Sequence, residues 1–117
     1  MSRCTVRCKV WLEIDGQPLI GTGRERLLLA IDATGSINAA ARELGIAYRK
    51  AWAQLQEMER IAPFPLFTRR TGGNGGGATT LTPEARQLLD EYRRLDGEVR
   101  TLTANCPLPD LMDPKES

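Results

Sequence analysis

Two pairs of adjacent cations, Arg49-Lys50 and Arg69-Arg70, are the residues of this sequence best placed to do chemistry, and that chemistry is the recognition of anions. A guanidinium is a planar fork of donors that matches the acceptor edge of guanine, and either cation type meets a phosphate oxygen. Ser36, Tyr48 and Gln56 accompany the first pair, and Thr71 and Asn74 follow the second, all with groups able to hydrogen-bond a phosphate or a base. The absences are equally informative. There is no histidine, the commonest general acid or base, and no nucleophile-base pair or cofactor loop, so an enzyme is the least favoured reading. Cys4, Cys8 and Cys106 are an odd number with no histidine to complete a ligand set. No metal and no cofactor is therefore expected, and Cys8 reads as a small buried hydrophobe.

The element that must hold the first pair runs from Ser36 to Leu55. Ser36 is a capping residue, and Ile37, Ala40, Ala41 and Leu44 then share one face of a short helix. Gly45 stops it, since glycine turns left-handed without steric cost. A second helix starts near Ala47 and runs to about Ile61, with Ala51, Leu55 and Met58 inward and Tyr48, Arg49, Ala53 and Gln56 outward. A helix, a glycine turn and a helix with a polar, basic outer face is the helix-turn-helix plan for entering a DNA major groove.

Net charge is only +1, but its distribution supports this reading. Residues 1–35 carry five basic and four acidic groups, residues 36–70 six and three, and residues 71–117 five and eight. Screening confines a charge's reach to about 10 Å at moderate salt, so a phosphate backbone meets the local balance. Length and an ordinary 41% hydrophobic content indicate one globular domain. With no apolar run near eighteen residues and no signal-peptide stretch, no membrane and a cytoplasmic location are expected.

Before the motif, Val6, Cys8, Val10, Leu12 and Ile14 alternate with polar residues, which predicts a strand over residues 5–15. Asp15-Gly16-Gln17-Pro18 turns the chain, and a helix with Leu27, Leu28, Ala30 and Ile31 inward ends at Gly35. After the motif, Pro63 and Pro65 leave the helix, and segments 66–71 and 78–81 read as a hairpin closed by six residues with five glycines. No Gly-Lys-Ser/Thr follows, so this is not a nucleotide-phosphate loop. It reads as a wing whose mobile tip brings main-chain amides to the DNA backbone, with Trp52 packing at its base.

Thr82-Pro83-Glu84 is a strong helix start. Ala85, Leu88, Tyr92, Leu95, Val99 and Leu102 then step by three and four, a heptad seam. The helix over 82–104 outlasts what a small domain covers, so Leu88, Tyr92, Leu95, Val99 and Leu102 are the expected homodimer interface. The domain is taken to span residues 1–104, with 105–117 a flexible tail rich in proline and acid.

These pieces together resemble the N-terminal DNA-binding domain of the molybdate-responsive ModE regulators and, more distantly, the LysR-type helix-turn-helix. The resemblance covers residues 24–95 and rests on Ala30-Ile31-Asp32-Ala33-Thr34-Gly35-Ser36-Ile37, Ala39-Ala40-Ala41, Tyr48-Arg49-Lys50-Ala51-Trp52, the run Thr71 to Gly77, and Leu81-Thr82. It implies a winged helix-turn-helix that dimerises on operator DNA. Molybdate-sensing members carry further small β-barrel domains, and this chain is expected to lack them. Asn74 stands where the family often has lysine, which shifts the wing's expected contacts to Arg69, Arg70 and main-chain amides.

The expected fold is thus α+β: an N-terminal strand, a winged helix-turn-helix with a glycine-rich hairpin, and a long C-terminal dimerisation helix. The expected partners are double-stranded DNA, a second copy of the chain and a separate effector-binding protein. Arg49 is the first candidate for a base edge, Lys50 for phosphate, Tyr48 for phosphate or a thymine methyl, and Gln56 for a base if the helix lies deep. The rival reading is a winged helix that docks on a partner protein.

Overall fold

The computed structural model describes residues 2–70 and 77–111. After a two-residue strand β1 (Ser2–Arg3), an arm without regular structure leads into a hairpin of β2 (Leu12–Ile14) and β3 (Gln17–Ile20). Asp15 and Gly16 both take positive φ, 52° and 80°. That pair of left-handed residues is what a two-residue hairpin turn of Asp-Gly supplies, and it sets Ile14 opposite Gln17.

The strand expected over residues 5–15 is therefore confined to Leu12–Ile14. Alternation makes a strand only where a neighbour completes the ladder and a core receives the apolar side. Val6 and Cys8 have no such core beneath them, and Cys8 is exposed rather than buried.

Helix α1 (Thr22–Thr34) buries Leu27, Leu28, Ala30 and Ile31 and ends at Gly35, whose φ of 72° lets its amide donate to the Ile31 carbonyl at 2.7 Å. Helix α2 (Ile37–Leu44) is capped by Ser36, whose Oγ accepts from the Ala39 amide at 3.1 Å. Gly45, at φ 69°, closes it. Helix α3 (Tyr48–Ile61) buries Ala51, Leu55 and Met58, the three positions its spacing selects.

Strands β4 (Phe67–Arg70) and β5 (Ala78–Leu81) pair antiparallel, with Phe67 opposite Leu81 and Arg70 opposite Ala78. The Thr79 amide donates to the Gly35 carbonyl at 2.8 Å, which fastens this hairpin to the corner between α1 and α2. A side chain at Gly77 would bring its Cβ within 2.9 Å of the Arg70 carbonyl oxygen, so glycine is required there for a steric reason.

Helix α4 (Pro83–Ala104) begins under a double tie at Thr82. Its hydroxyl accepts from the Ala85 amide at 3.2 Å and donates to the Pro65 carbonyl at 2.7 Å. Three helices, a two-stranded wing and a long fourth helix make an α+β winged helix-turn-helix. Its core gathers Leu19 and Ile20 of β3 with Ile31, Ala40, Leu55, Leu66 and Tyr92. No helix among the described residues is long and apolar enough to cross a membrane.

The molecule is elongated. It measures 71 × 29 × 21 Å with a radius of gyration of 19.1 Å, against roughly 13 Å for a compact chain of this length. At about 1.5 Å per residue, α4 is longer than the core it starts from, and it carries two apolar lines. Ala85, Leu89 and Tyr92 pack into the domain. Leu88, Leu95 and Val99 run beside them half-buried, and Leu102 is 72% exposed.

Tyr92 therefore leaves the expected dimer seam: it is 0% exposed, and its hydroxyl donates to the Val10 carbonyl at 3.0 Å. The step of three from Leu89 to Tyr92 belongs to the inner line, and a pure heptad count merges the two. Of the expected loose tail, residues 112–117 lie outside the described residues, and the described part holds regular structure. Strand β6 (Asp110–Leu111) pairs antiparallel with β1, Ser2 facing Leu111 and Arg3 facing Asp110.

Candidate nucleic-acid interface

With Ala51, Leu55 and Met58 turned inward, the periodicity of α3 sends Arg49, Ala53, Gln56 and Arg60 to the opposite side, and all four are exposed. The side chains of Arg49 and Lys50 have no hydrogen-bond or ion-pair partner among the described residues. Two free cations at the start of α3 are available to a ligand without breaking an internal contact. Arg60 is the outward residue that the sequence reading missed, although its spacing of four from Gln56 marks it. Its guanidinium is committed to the Glu57 carboxylate, at 2.5 and 3.0 Å, and to Gln17 Oε1 at 2.8 Å. That pairing holds the Glu57 carboxyl below the usual carboxylate range.

On one flank of α3 the aromatic rings of Tyr48 and Trp52 stack, with centroids 6.5 Å apart and planes inclined by 16°. Arg69, from β4, lays its guanidinium over Trp52, Cζ to centroid 4.0 Å, and its Nη2 lies 3.5 Å from Glu59 Oε1. Trp52 thus packs against the wing base, as its position predicts. Arg69, expected to meet phosphate, is folded back onto α3. Arg70 is exposed, and its side chain has no partner among the described residues. Thr71 and Asn74, the two wing candidates, lie outside the described residues, as does the glycine run between them.

The other flank is a cleft of 610 Å³ whose lining includes Lys9, Arg26 and Lys50 together with Trp11 and Leu27. Lys9 and Arg26 come from the arm and from α1, so no local pattern in the sequence groups them with Lys50. Arg24 anchors this side. Its Nε donates to Gln54 Oε1 at 2.7 Å, and its Nη1 donates to the Pro18 and Leu19 carbonyls at 2.9 and 3.1 Å. One half-buried guanidinium thereby joins α1, α3 and β3. Ser36, in its capping role, keeps its hydroxyl on Ala39 at the start of α2.

Residues 24–86 match the sequence pattern of the bacterial regulatory helix-turn-helix proteins of the lysR family. The chain belongs to that family. Among relatives of this lysR-family chain, the molybdenum-pterin-binding protein MopB of Rhodobacter capsulatus is 38% identical over 97 residues, 83% of this chain and 36% of MopB. The transcriptional regulator ModE of Haemophilus influenzae is 47% identical over 73 residues, 62% of this chain and 29% of that protein. The DNA-binding transcriptional dual regulator ModE of Escherichia coli is 39% identical over 69 residues, 59% and 26% of the two chains.

The chain therefore spans about a third of the length of these relatives, in agreement with a resemblance read from residues 24–95 alone. Among solved structures, the BenM DNA-binding domain in its complex with benA site 1 DNA superposes with a TM-score of 0.53 at 23% identity. The match covers 70% of this chain and 86% of that one, and it shows a shared fold.

Proposed function

We propose that this chain is a transcriptional regulator that binds operator DNA as a homodimer, with α3 in the major groove and the wing on the neighbouring backbone. The observation that carries the reading is the outward face of α3. Exposed Arg49 and Gln56, with Lys50 at the edge, offer unpartnered groups for base edges and phosphates while the inward face is fully used by the core. Relatives bearing the name ModE are described as transcriptional regulators, and the BenM domain of similar fold was solved on DNA. Dimerisation is assigned to the outer apolar line of α4, Leu88, Leu95, Val99 and Leu102, and a cytoplasmic location follows from the role. Any effector is sensed outside this domain, by a partner or by a further region.

The test is selection of bound fragments from the source genome, followed by mobility-shift titration across salt concentrations. The expected result is a recurring site with two half-sites, bound more weakly as salt rises. Binding that shows no sequence preference and no salt dependence would overturn the reading in favour of a protein-docking module.

A further inference from the structure

The chain has three cysteines, and although nearly its whole length separates the first two from the third, all three line one groove. This groove, of 410 Å³, lies between the N-terminal arm, the last turns of α4 and the segment that follows it, away from α3. Cys4 and Cys8 come from the arm and Cys106 from just beyond α4, and each is exposed with a free thiol. Arg7 and Arg100 line the same groove. The backbone is what brings the two ends together, through the ladder of Ser2 with Leu111 and Arg3 with Asp110. The ladder itself ends at Arg3 and Asp110; four residues inward from Asp110 is Cys106 and four inward from Arg3 is Arg7, so by chain count Cys8 is nearer to Cys106 than Cys4 is.

Among the described residues no group of three potential ligands is close enough to hold a metal ion. Pairwise thiol chemistry fits the placement instead. We propose that this groove is a thiol–disulfide modification site in which Cys106 and Cys8 are joined at the expense of a small anionic disulfide, of which glutathione disulfide is the probe.

The Cys106 thiolate attacks one sulfur of the probe, breaking its S–S bond, forming a mixed disulfide and releasing one glutathione thiolate. The Cys8 thiolate then attacks the Cys106 sulfur, forming the internal bond and releasing the second. Two protein thiols are oxidised, one glutathione disulfide is reduced to two glutathiones, and the two thiol protons end on the released thiolates. Arg7 supplies the positive charge that draws the probe's carboxylates into the groove, while the Arg100 guanidinium is held by the Asp96 carboxylate at 2.8 Å. The bond would tie the arm to the end of α4, beside Val99 and Leu102. In a reducing compartment such a bond forms under oxidative load and is then reversed.

The experiment incubates the full chain with glutathione disulfide, alkylates the remaining thiols and maps the non-reduced peptides by mass spectrometry. Native protein, protein held in urea, and the variants C4S, C8S and C106S are compared. The expected product is a Cys8–Cys106 link within one chain, with Cys4 alkylated, formed at least about tenfold faster in the native protein than in urea. C4S should behave as the parent, whereas C8S and C106S should yield no intrachain link. Equal rates in urea, a Cys4–Cys8 or Cys4–Cys106 link, mixed disulfides alone, or crosslinks only between chains would each overturn the assignment. The three positions are exposed, so the serine variants test thiol chemistry without emptying the core, and the readout is independent of DNA binding.

Discussion

The Arg69 guanidinium lies over Trp52, with Cζ 4.0 Å from the ring centroid, and this contact joins the wing to the helix that carries the outward cations. Glu59 also reaches Arg69, its Oε1 3.5 Å from Nη2, and Tyr48 extends the stack toward the start of α3. The wing base is therefore set by contacts with α3 as well as by its own ladder. A cation over an indole at a partly exposed site contributes about 0.5–1 kcal/mol. Trp52→Leu and Arg69→Ala should each weaken binding to a DNA duplex, and the double variant should lose less than the two losses added together, by about that amount. Fluorescence-anisotropy titration of the four proteins measures the coupling. Strict additivity would show that the contact does not place the wing.

Arg49 and Lys50 are adjacent but leave α3 on different sides, and their effects should separate. Arg49→Ala should lose about 1–3 kcal/mol on the selected site and much less on random duplex, with relaxed preference at one base position. Lys50→Ala and Arg70→Ala should weaken both duplexes alike and reduce the slope of log K against log salt by about one. Equal losses on both duplexes for Arg49→Ala would remove it as a base reader.

The parts of this fold governed by short-range rules could be read before the structure. Ser36, Gly45 and Thr82 end or start helices because of what their own side chains or φ allow, and each does so in the structure. The inward set of α3 followed from a period of 3.6. What escaped was decided at long range. The arm keeps a strand-like alternation at Val6 and Cys8, yet it has no core to alternate against. Tyr92 belongs to a heptad count and also to the core, because an arm residue, Val10, presents the carbonyl its hydroxyl needs. At the candidate site, the exposure of Arg49, Lys50 and Gln56 was visible from helix spacing, whereas the commitment of Arg69 to Trp52 and the placing of Lys9 and Arg26 in one cleft with Lys50 depend on packing between distant segments.

Arg24 tests how firmly α3 is held. Burial lowers its pKa, partly offset by the Glu57 carboxylate, and its guanidinium spends three hydrogen bonds on Gln54, Pro18 and Leu19. Hydrogen bonds from a charged donor contribute about 1.5–3 kcal/mol each when fully shielded, and partial exposure reduces that. Arg24→Ala should cost about 2 kcal/mol by urea denaturation. Ser36→Ala, which removes only the α2 cap, should cost about 1 kcal/mol. A smaller loss for Arg24→Ala than for Ser36→Ala would mean that the junction of α1, α3 and β3 is held by its apolar contacts alone.

The two apolar lines of α4 separate folding from association, and substitutions can address them one at a time. Tyr92→Phe keeps the buried ring and removes the hydroxyl that donates to Val10. It leaves that carbonyl to find water, so it should lower stability by about 1 kcal/mol while leaving the assembly state unchanged. Val99→Asp and Leu102→Asp act on the outer line, where the side chains are half-buried and exposed in the single chain. They cost the isolated fold little but place a carboxylate where two copies of the seam would meet, and burial without a partner opposes the charged group. Sedimentation velocity should therefore show dimers for the parent and for Tyr92→Phe, and monomers for the two aspartate variants with their thermal unfolding nearly unchanged. Dimers that persist in Leu102→Asp and Val99→Asp would place the interface on another surface, and monomers for Tyr92→Phe would show that the arm over Tyr92 takes part in it.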